Sequence, residues 1–335
     1  MTFAFPDPFD DTAPPFGILM SAAAHGRCRE RLDATLGPAA WRWIDLASIP
    51  PGQPAARAHV AYFTRDITLA GRAATRCYFE TVEASPGLRW LQIFSAGSEP
   101  SVYDRLRAKG VLVTTASGAS AVAVGLTAFT GLLMLARGFP RWLEGQRSRT
   151  WLPSAETKPP DLQGAHCLIV GTGPIGREVA RLCNAVGLQT TGVRRSTEAE
   201  APFRQTIAYE QIEQLLPRSR FLVLACPLTE RTRALIDADR LRLLPAGASL
   251  VNVARGGVVD EPALIAALKD GHLAGAYLDV FAQEPLPPES PLWSLPGVML
   301  SPHAAAESAG AEQAVDEVFL AHVARQFNPS RSSLP

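Results

Sequence analysis

Apolar residues come in short blocks from early in the chain, and segments of helical spacing separate them. FGILMS (16–21) reads as a strand and precedes the helical CRERLDATLG; HVAYFT (59–64) is a second strand candidate. FETVEASPG leads into LRWLQIFSAG (88–97), PSVYDRLRAKG is helical and closed by Gly110, and VLVTTAS (111–117) is apolar and β-branched. Strands alternating with helix-sized segments predict βαβ units around a parallel sheet. ASAVAVGLTAFTGLLMLA (119–136) has no charge and nearly the length of a bilayer crossing. Ser120, Thr127, Thr130 and two glycines within it, and the lack of a second such segment, favour a helix buried between domains or subunits.

A Pro-rich polar connection, RSRTWLPSAETKPPDLQG (147–164), opens a second unit. There the alternation restarts: strand HCLIVG, helix IGREVARLCNAVG, strand QTTGVR, helix YEQIEQLLP, strand FLVLACP. It continues with helix DADRLRLLP, strand ASLVNVAR, helix EPALIAALKDG and strands GAYLDVF and GVMLSPH. A last helix is expected over roughly 307–327, followed by a tail, NPSRSSLP, expected to be disordered. No repeat at solenoid spacing is present.

Composition narrows the class. A chain of 335 residues can hold two ordinary domains, and 47% hydrophobic with 19% charged residues is a soluble globular balance. Lys+Arg and Asp+Glu cancel at 32 each, so no overall field favours nucleic acid or an anionic membrane. Cys28, Cys77, Cys167, Cys183 and Cys226 lack metal-ligand spacing, which suits free thiols in a reducing compartment; no metal site is expected. MTFAFPDPFDDTAPPF at the N-terminus has no export signal, so a cytoplasmic location is expected.

The chemistry begins at VGTGPIGREVARLCNAVGLQTTGVRRS (170–196). Gly171, Gly173 and Gly176 form G-x-G-x-x-G between an apolar strand and an amphipathic helix. The first glycine permits a tight turn, the second lets backbone approach a pyrophosphate, and the third lets helix pack on strand. The helix starting near Ile175, just after Pro174, offers unpaired N–H groups and its positive end to the phosphates. Where such a unit commonly carries an acid for the adenosine ribose, the second strand runs into Arg194, Arg195 and Ser196, with no acid until Glu198. Guanidinium groups suit a 2′-phosphate, so NADP(H) is expected over NAD(H), which stays the alternative. The plainer reading is two surface arginines in a loop.

Three further stretches lie at the C-terminal ends of expected strands, the edge where open α/β sheets bind ligands. They are NVARGG (252–257), LDVFAQEPLP (278–287) and SPHAAAES (301–308). Singly, Arg255 could be a turn arginine, Glu284 a loop acid and His303 a core histidine. Together and in this order after the glycine turn, they resemble the D-2-hydroxyacid dehydrogenase family over most of the chain, most densely from 164 to 306. The resemblance implies two doubly wound α/β parallel-sheet domains, a Rossmann cofactor domain (119–303) inserted into a flavodoxin-like substrate domain (1–118 with 304–335). It also implies hydride transfer between a nicotinamide and C2 of a 2-keto or 2-hydroxy acid. Arg255 would hold the substrate carboxylate and polarise the keto oxygen, and His303 would donate the proton. Glu284 beside the imidazole would orient it and favour its charged form.

The same resemblance implies further contacts. Asp279 would sit near the nicotinamide carboxamide, and Cys226 and Pro227, with Thr232 beyond, would belong to a loop over the cofactor. Val253, Ala254 and Ala305 would be cofactor neighbours. Ala96 and Gly97, after Ser95, would meet the substrate carboxylate through backbone N–H groups. Trp151 stands where some relatives send an aromatic toward the neighbouring subunit's pocket, or where an interface simply packs. Val124-Gly125-Leu126-Thr127 departs from the V-A-E-H of many relatives, so contacts specific to those branches are in doubt. Ala304-Ala305-Ala306 after the histidine fits the glyoxylate and hydroxypyruvate reductase branch, and no amino-acid-sensing C-terminal module is expected. The expectation is therefore an NADPH-dependent reductase of small 2-keto acids, a two-fold homodimer through the uncharged helix, closing by a hinge over substrate. The alternatives are an NAD-dependent D-2-hydroxyacid dehydrogenase and, from another class, a dinucleotide-sensing scaffold without catalysis.

Overall fold

The computed structural model of the protein describes residues 15–95, 101–152, 161–196, 198 and 200–327. Ala96, Gly97 and the tail NPSRSSLP lie outside the described residues. The chain divides into two compact units, Met1–Ser120 with Ser308–Pro335, and Ala121–Glu307.

The first unit is built on strands β1 (Phe16–Met20), β2 (Trp41–Asp45), β3 (Ala58–Phe63), β4 (Trp90–Ile93) and β5 (Leu112–Thr115). They pair in parallel in the order β2-β1-β3-β4-β5, the flavodoxin-like arrangement. Alternate side chains point to opposite faces of a strand, and both faces are covered. Ile18, Met20, Val60, Tyr62 and Trp90 pack with Phe319, Leu320 and Val323 of the last helix, while Leu19, Ala61, Phe63 and Leu91 pack with Tyr78, Val82 and Leu106. Helix Ala22–Leu36 starts where the Ser21 hydroxyl accepts the Ala24 N–H at 3.2 Å. Its buried Ala24, Cys28, Leu32 and Leu36 recur every four residues, a single stripe. The last helix spans Ala311–Phe327, one turn shorter at its start than expected.

The second unit carries β6 (His166–Val170), β7 (Gln189–Arg194), β8 (Gln205–Ala208), β9 (Phe221–Leu224), β10 (Ala248–Asn252), β11 (Leu273–Leu278) and β12 (Val298–Leu300). All pairs are parallel, in the order β12-β11-β10-β9-β6-β7-β8. The chain runs outward from β6 to β8 and then restarts on the other flank of β6, so β6 and β9 frame the switch point where such sheets bind ligands. Helices again cover both faces: Cys167 and Ile169 of β6 pack into one core cluster, Leu168 and Val170 into the other.

The uncharged segment forms helix Ala121–Arg137, and its buried Val124, Ala128, Leu132 and Ala136 pack inside the second unit, against helix Pro174–Ala185 and strands β10 and β11. This face is therefore buried inside one unit, not between domains or subunits as expected, while Val122 and Leu126 stay exposed. No single helix among the described residues is long and apolar enough to cross a membrane. The expected helix YEQIEQLLP is broken: a short α-turn, Ile212–Leu215, lies between 3₁₀ turns Tyr209–Gln211 and Leu216–Arg218, since Pro217 has no N–H to extend it.

Candidate active site

The glycine turn after β6 is held by close backbone packing. Gly171 has φ +102°, and a side chain there would strike the Ala225 carbonyl oxygen at 2.6 Å. A Cβ on Gly176 would lie 1.9 Å from the Gly171 carbonyl oxygen, so only glycine lets helix Pro174–Ala185 approach the turn. Gly173 differs: a Cβ there would meet no protein atom within 4 Å. Gly173 is also the helix N-cap, with no side chain bonding to the first-turn N–H groups. An open face over unpaired N–H groups at the positive end of a helix is what a pyrophosphate requires, so the residues present fit a dinucleotide.

Beside this turn opens a cleft of about 880 Å³, ample for one half of a dinucleotide, lined by Gly171, Thr172 and Gly173 and by Pro227 and Thr232 from beyond β9. Thr232 is itself buried: its hydroxyl donates to the Pro227 carbonyl at 2.7 Å and accepts the Thr229 N–H at 2.8 Å, which fastens the loop. The Cys226 side chain is buried behind the turn, and burial pushes its thiol up to about 12, leaving it an inert wall. Arg194, Arg195, Tyr209 and Arg231 line the same cleft. Arg194 is ion-paired with Glu200, whose carboxylate also accepts from Thr172 Oγ1 at 3.0 Å and Arg177 Nη1 at 2.5 Å. Sequence reasoning stopped at Glu198 and missed Glu200, Tyr209 and Arg231. Ser196 follows the arginines as a half-buried residue.

The second focus lies past the ends of the neighbouring strands β10, β11 and β12. Asn252 ends β10 buried, accepting the Ala254 N–H at 3.0 Å and donating to the Arg255 carbonyl at 3.2 Å. That turn carries Arg255, whose Nη1 donates to the Ala254 carbonyl at 2.7 Å. The next residue, Gly256, touches the loop after β11 so closely that a Cβ would fall 1.9 Å from the Phe281 carbonyl carbon. Glu284 sits in that loop, where one carboxylate oxygen accepts the Phe281 N–H at 3.0 Å. The other oxygen lies 2.8 Å from His303 Nδ1, in the loop after β12. His303 has φ +53°, an uncommon conformation for a side-chain-bearing residue. Its Nε2 has no hydrogen-bond partner among the described residues.

Asp279 organises this loop. Its buried carboxylate accepts the Ser301 hydroxyl at 2.6 Å and the N–H groups of Ala304 at 2.8 Å and Ala305 at 3.1 Å, while its carbonyl accepts the His303 N–H at 2.8 Å. Because Ser301 donates to Asp279, the Tyr277 hydroxyl, 2.6 Å from Ser301 Oγ, donates to Ser301, and burial raises the Tyr277 pKa. Asn252 and Ser301 are the first residues of NVARGG and SPHAAAES but have no role assigned there from sequence, and Tyr277, just before LDVF, lies outside the three motif stretches. Val253, Ala254 and Ala305 have buried side chains. Among the described residues, no group of three His, Cys, Asp or Glu could hold a metal ion.

The family profile described as "D-isomer specific 2-hydroxyacid dehydrogenase, NAD binding domain" matches residues 129–305. The chain is 37% identical to a (S)-sulfolactate dehydrogenase of Chromohalobacter salexigens over 239 residues, covering 70% of this chain and 76% of that one. It is 35% identical to a glyoxylate reductase of Thermococcus kodakarensis over 261 residues, covering 76% and 78%. Among solved structures, a D-isomer specific 2-hydroxyacid dehydrogenase of Xanthobacter autotrophicus Py2 in complex with NADPH and MES superposes with a TM-score of 0.73 at 26% identity, covering 95% and 96%.

Proposed function

Because this chain belongs to the D-isomer specific 2-hydroxyacid dehydrogenase family, and so is an NAD(P)-dependent oxidoreductase of small 2-hydroxy and 2-keto acids, we propose that it works as an NADPH-dependent reductase of the glyoxylate and hydroxypyruvate type, with His303 as the general acid. The observation that carries the proposal is the 2.8 Å pairing of His303 Nδ1 with a Glu284 carboxylate held by the Phe281 N–H. Glu284 fixes the ring so that Nδ1–H faces the carboxylate and Nε2–H turns to the substrate. A bound nicotinamide supplies the hydride that C2 of the keto acid takes up. His303 passes its Nε2 proton to the carbonyl oxygen, and Arg255 grips the acid's carboxylate and polarises that carbonyl with a charge that persists at any working pH.

Support for NADPH comes from Arg195, which lines the cleft and has no carboxylate partner among the described residues, and from the structural neighbour solved with NADPH. Support for a glyoxylate-type substrate comes from the name of the Thermococcus relative. The test is initial-rate kinetics on glyoxylate, hydroxypyruvate and pyruvate with NADPH and NADH in parallel. The expected result is a higher kcat/KM with NADPH for one of the two-carbon or three-carbon keto acids. Equal or better turnover with NADH refutes the cofactor part, and turnover confined to larger keto acids refutes the substrate part.

The oligomer proposed with it is a homodimer. Val122, Leu126, Phe139 and Trp142 are exposed on the uncharged helix and the helix after it, and Trp151 is 94% exposed. Apolar surface of this kind marks an association site. Light scattering should give twice the 35.9 kDa chain mass, and a monomer at micromolar concentration contradicts it.

A further inference from the structure

Glu200 joins three parts of the cofactor cleft through one carboxylate. It accepts from Thr172 in the glycine turn, from Arg177 in the first turn of helix Pro174–Ala185, and from Arg194 at the end of β7. Its side chain is only 18% exposed, so its charge is poorly screened where it meets these groups. Arg231, another arginine of the cleft, pairs with Glu210 at 3.1 Å. Arg195 also lines the cleft and is exposed, with no carboxylate partner among the described residues.

We propose that Glu200 sets this chain's discrimination between phosphorylated and unphosphorylated dinucleotides: it neutralises Arg194, leaves the 2′-phosphate to Arg195, and holds the preference for NADPH below what two free guanidinium groups would give. This deepens the cofactor reading above and rests on its assignment of the adenosine end to this part of the cleft. The physical basis is competition for one guanidinium. A 2′-phosphate seeking Arg194 must displace or approach a carboxylate already bound there, and like charges at that range disfavour each other. Among the described residues Arg195 has no such competitor, which leaves its forked donors to the phosphate. Thr172 and Arg177 hold Glu200 from the other side, which fixes the carboxylate beside Arg194 instead of letting it swing into solvent.

The test reads binding alone, with adenosine 2′,5′-bisphosphate and 5′-AMP as probes titrated by calorimetry on the full chain. Glu200→Gln keeps the shape and removes the charge. It is expected to tighten bisphosphate binding about tenfold, within the range of one charge-assisted hydrogen bond, and to leave AMP within about twofold. Arg195→Ala is expected to weaken the bisphosphate more than Arg194→Ala does. In Glu200→Gln/Arg194→Gln the gain should vanish, because the released guanidinium is gone. No gain in Glu200→Gln, a gain that survives in the double variant, or a loss of AMP binding showing that Glu200 meets the ribose hydroxyls itself, would each overturn the proposal. A wild-type chain that binds AMP as tightly as the bisphosphate defeats the NADPH reading instead, and the change produced by Glu200→Gln is still read against that baseline. Should Glu200→Gln melt early, Glu200→Asp, which keeps the charge, must show wild-type discrimination.

Discussion

The Ser301 hydroxyl lies 2.6 Å from an Asp279 carboxylate oxygen that also gathers the N–H groups of Ala304 and Ala305. This buried acceptor holds His303 at its positive φ, and Tyr277 completes the chain from behind. Ser301→Ala leaves the buried Tyr277 hydroxyl without its acceptor and should cost about 1–3 kcal/mol in urea unfolding. Asp279→Ala strips the Ser301 hydroxyl and the N–H groups of Ala304 and Ala305 of their shared acceptor. It should lower kcat more than it raises the keto-acid KM, because the imidazole loses its placement while Arg255 is untouched. A change confined to KM would place Asp279 in substrate binding instead.

The glycine turn offers a contrast between two alanines. Gly176→Ala forces a carbon to 1.9 Å from the Gly171 carbonyl and should lower the melting temperature and abolish cofactor binding together. Gly173→Ala meets no protein atom, so the fold should melt as wild type, while the Kd for NADPH rises tenfold or more, about 1.4 kcal/mol, as the methyl occupies the pyrophosphate's face. Unchanged NADPH affinity in Gly173→Ala would mean that the phosphates lie elsewhere.

Acid should weaken the second unit through His166. Its ring lies 3.0 Å from Ser219 Oγ and 2.9 Å from Thr191 Oγ1; Ser219 itself donates to the Leu215 carbonyl, so it accepts from Nδ1–H and Thr191 donates to Nε2. Burial, aided by Arg218, lowers the His166 pKa to about 4. The unfolded chain binds a proton near the ordinary value of about 6.5. Between those values the unfolded state holds more protons, so stability is full above about pH 6.5 and is lost as pH falls toward 4. Burial lowers His25, His59 and His322 in the first unit in the same sense. Denaturant midpoints at pH 7.5 and 5 should differ less in His166→Gln than in wild type; an identical fall would remove His166 from the cause.

The places of Arg255, Glu284 and His303 are legible in the sequence because each follows an apolar block long enough to be a strand, and parallel strands deliver their C-terminal ends to one edge. The glycine turn is legible for the same reason. Two of the four edge strands are harder to see. β2 and β8 read as WRWID and QTIA, with few fully buried positions, so no apolar block announces them, as VLVTTAS and GVMLSPH do for the edge strands β5 and β12. Lateral partners are hardest of all. Glu200 reaches Arg194 through a loop, and Ser301 reaches Asp279 from the next strand across 22 positions; neither spacing carries a period that local pattern could reveal.

Proton donation by His303 is the claim on which the enzymatic role turns, and single-turnover reduction of the preferred 2-keto acid by NADPH measures it most directly. His303→Asn should bind NADPH with wild-type Kd and reduce the acid about two to four orders of magnitude more slowly. A variant that turns over at near the wild-type rate would contradict the assignment of His303 as the acid.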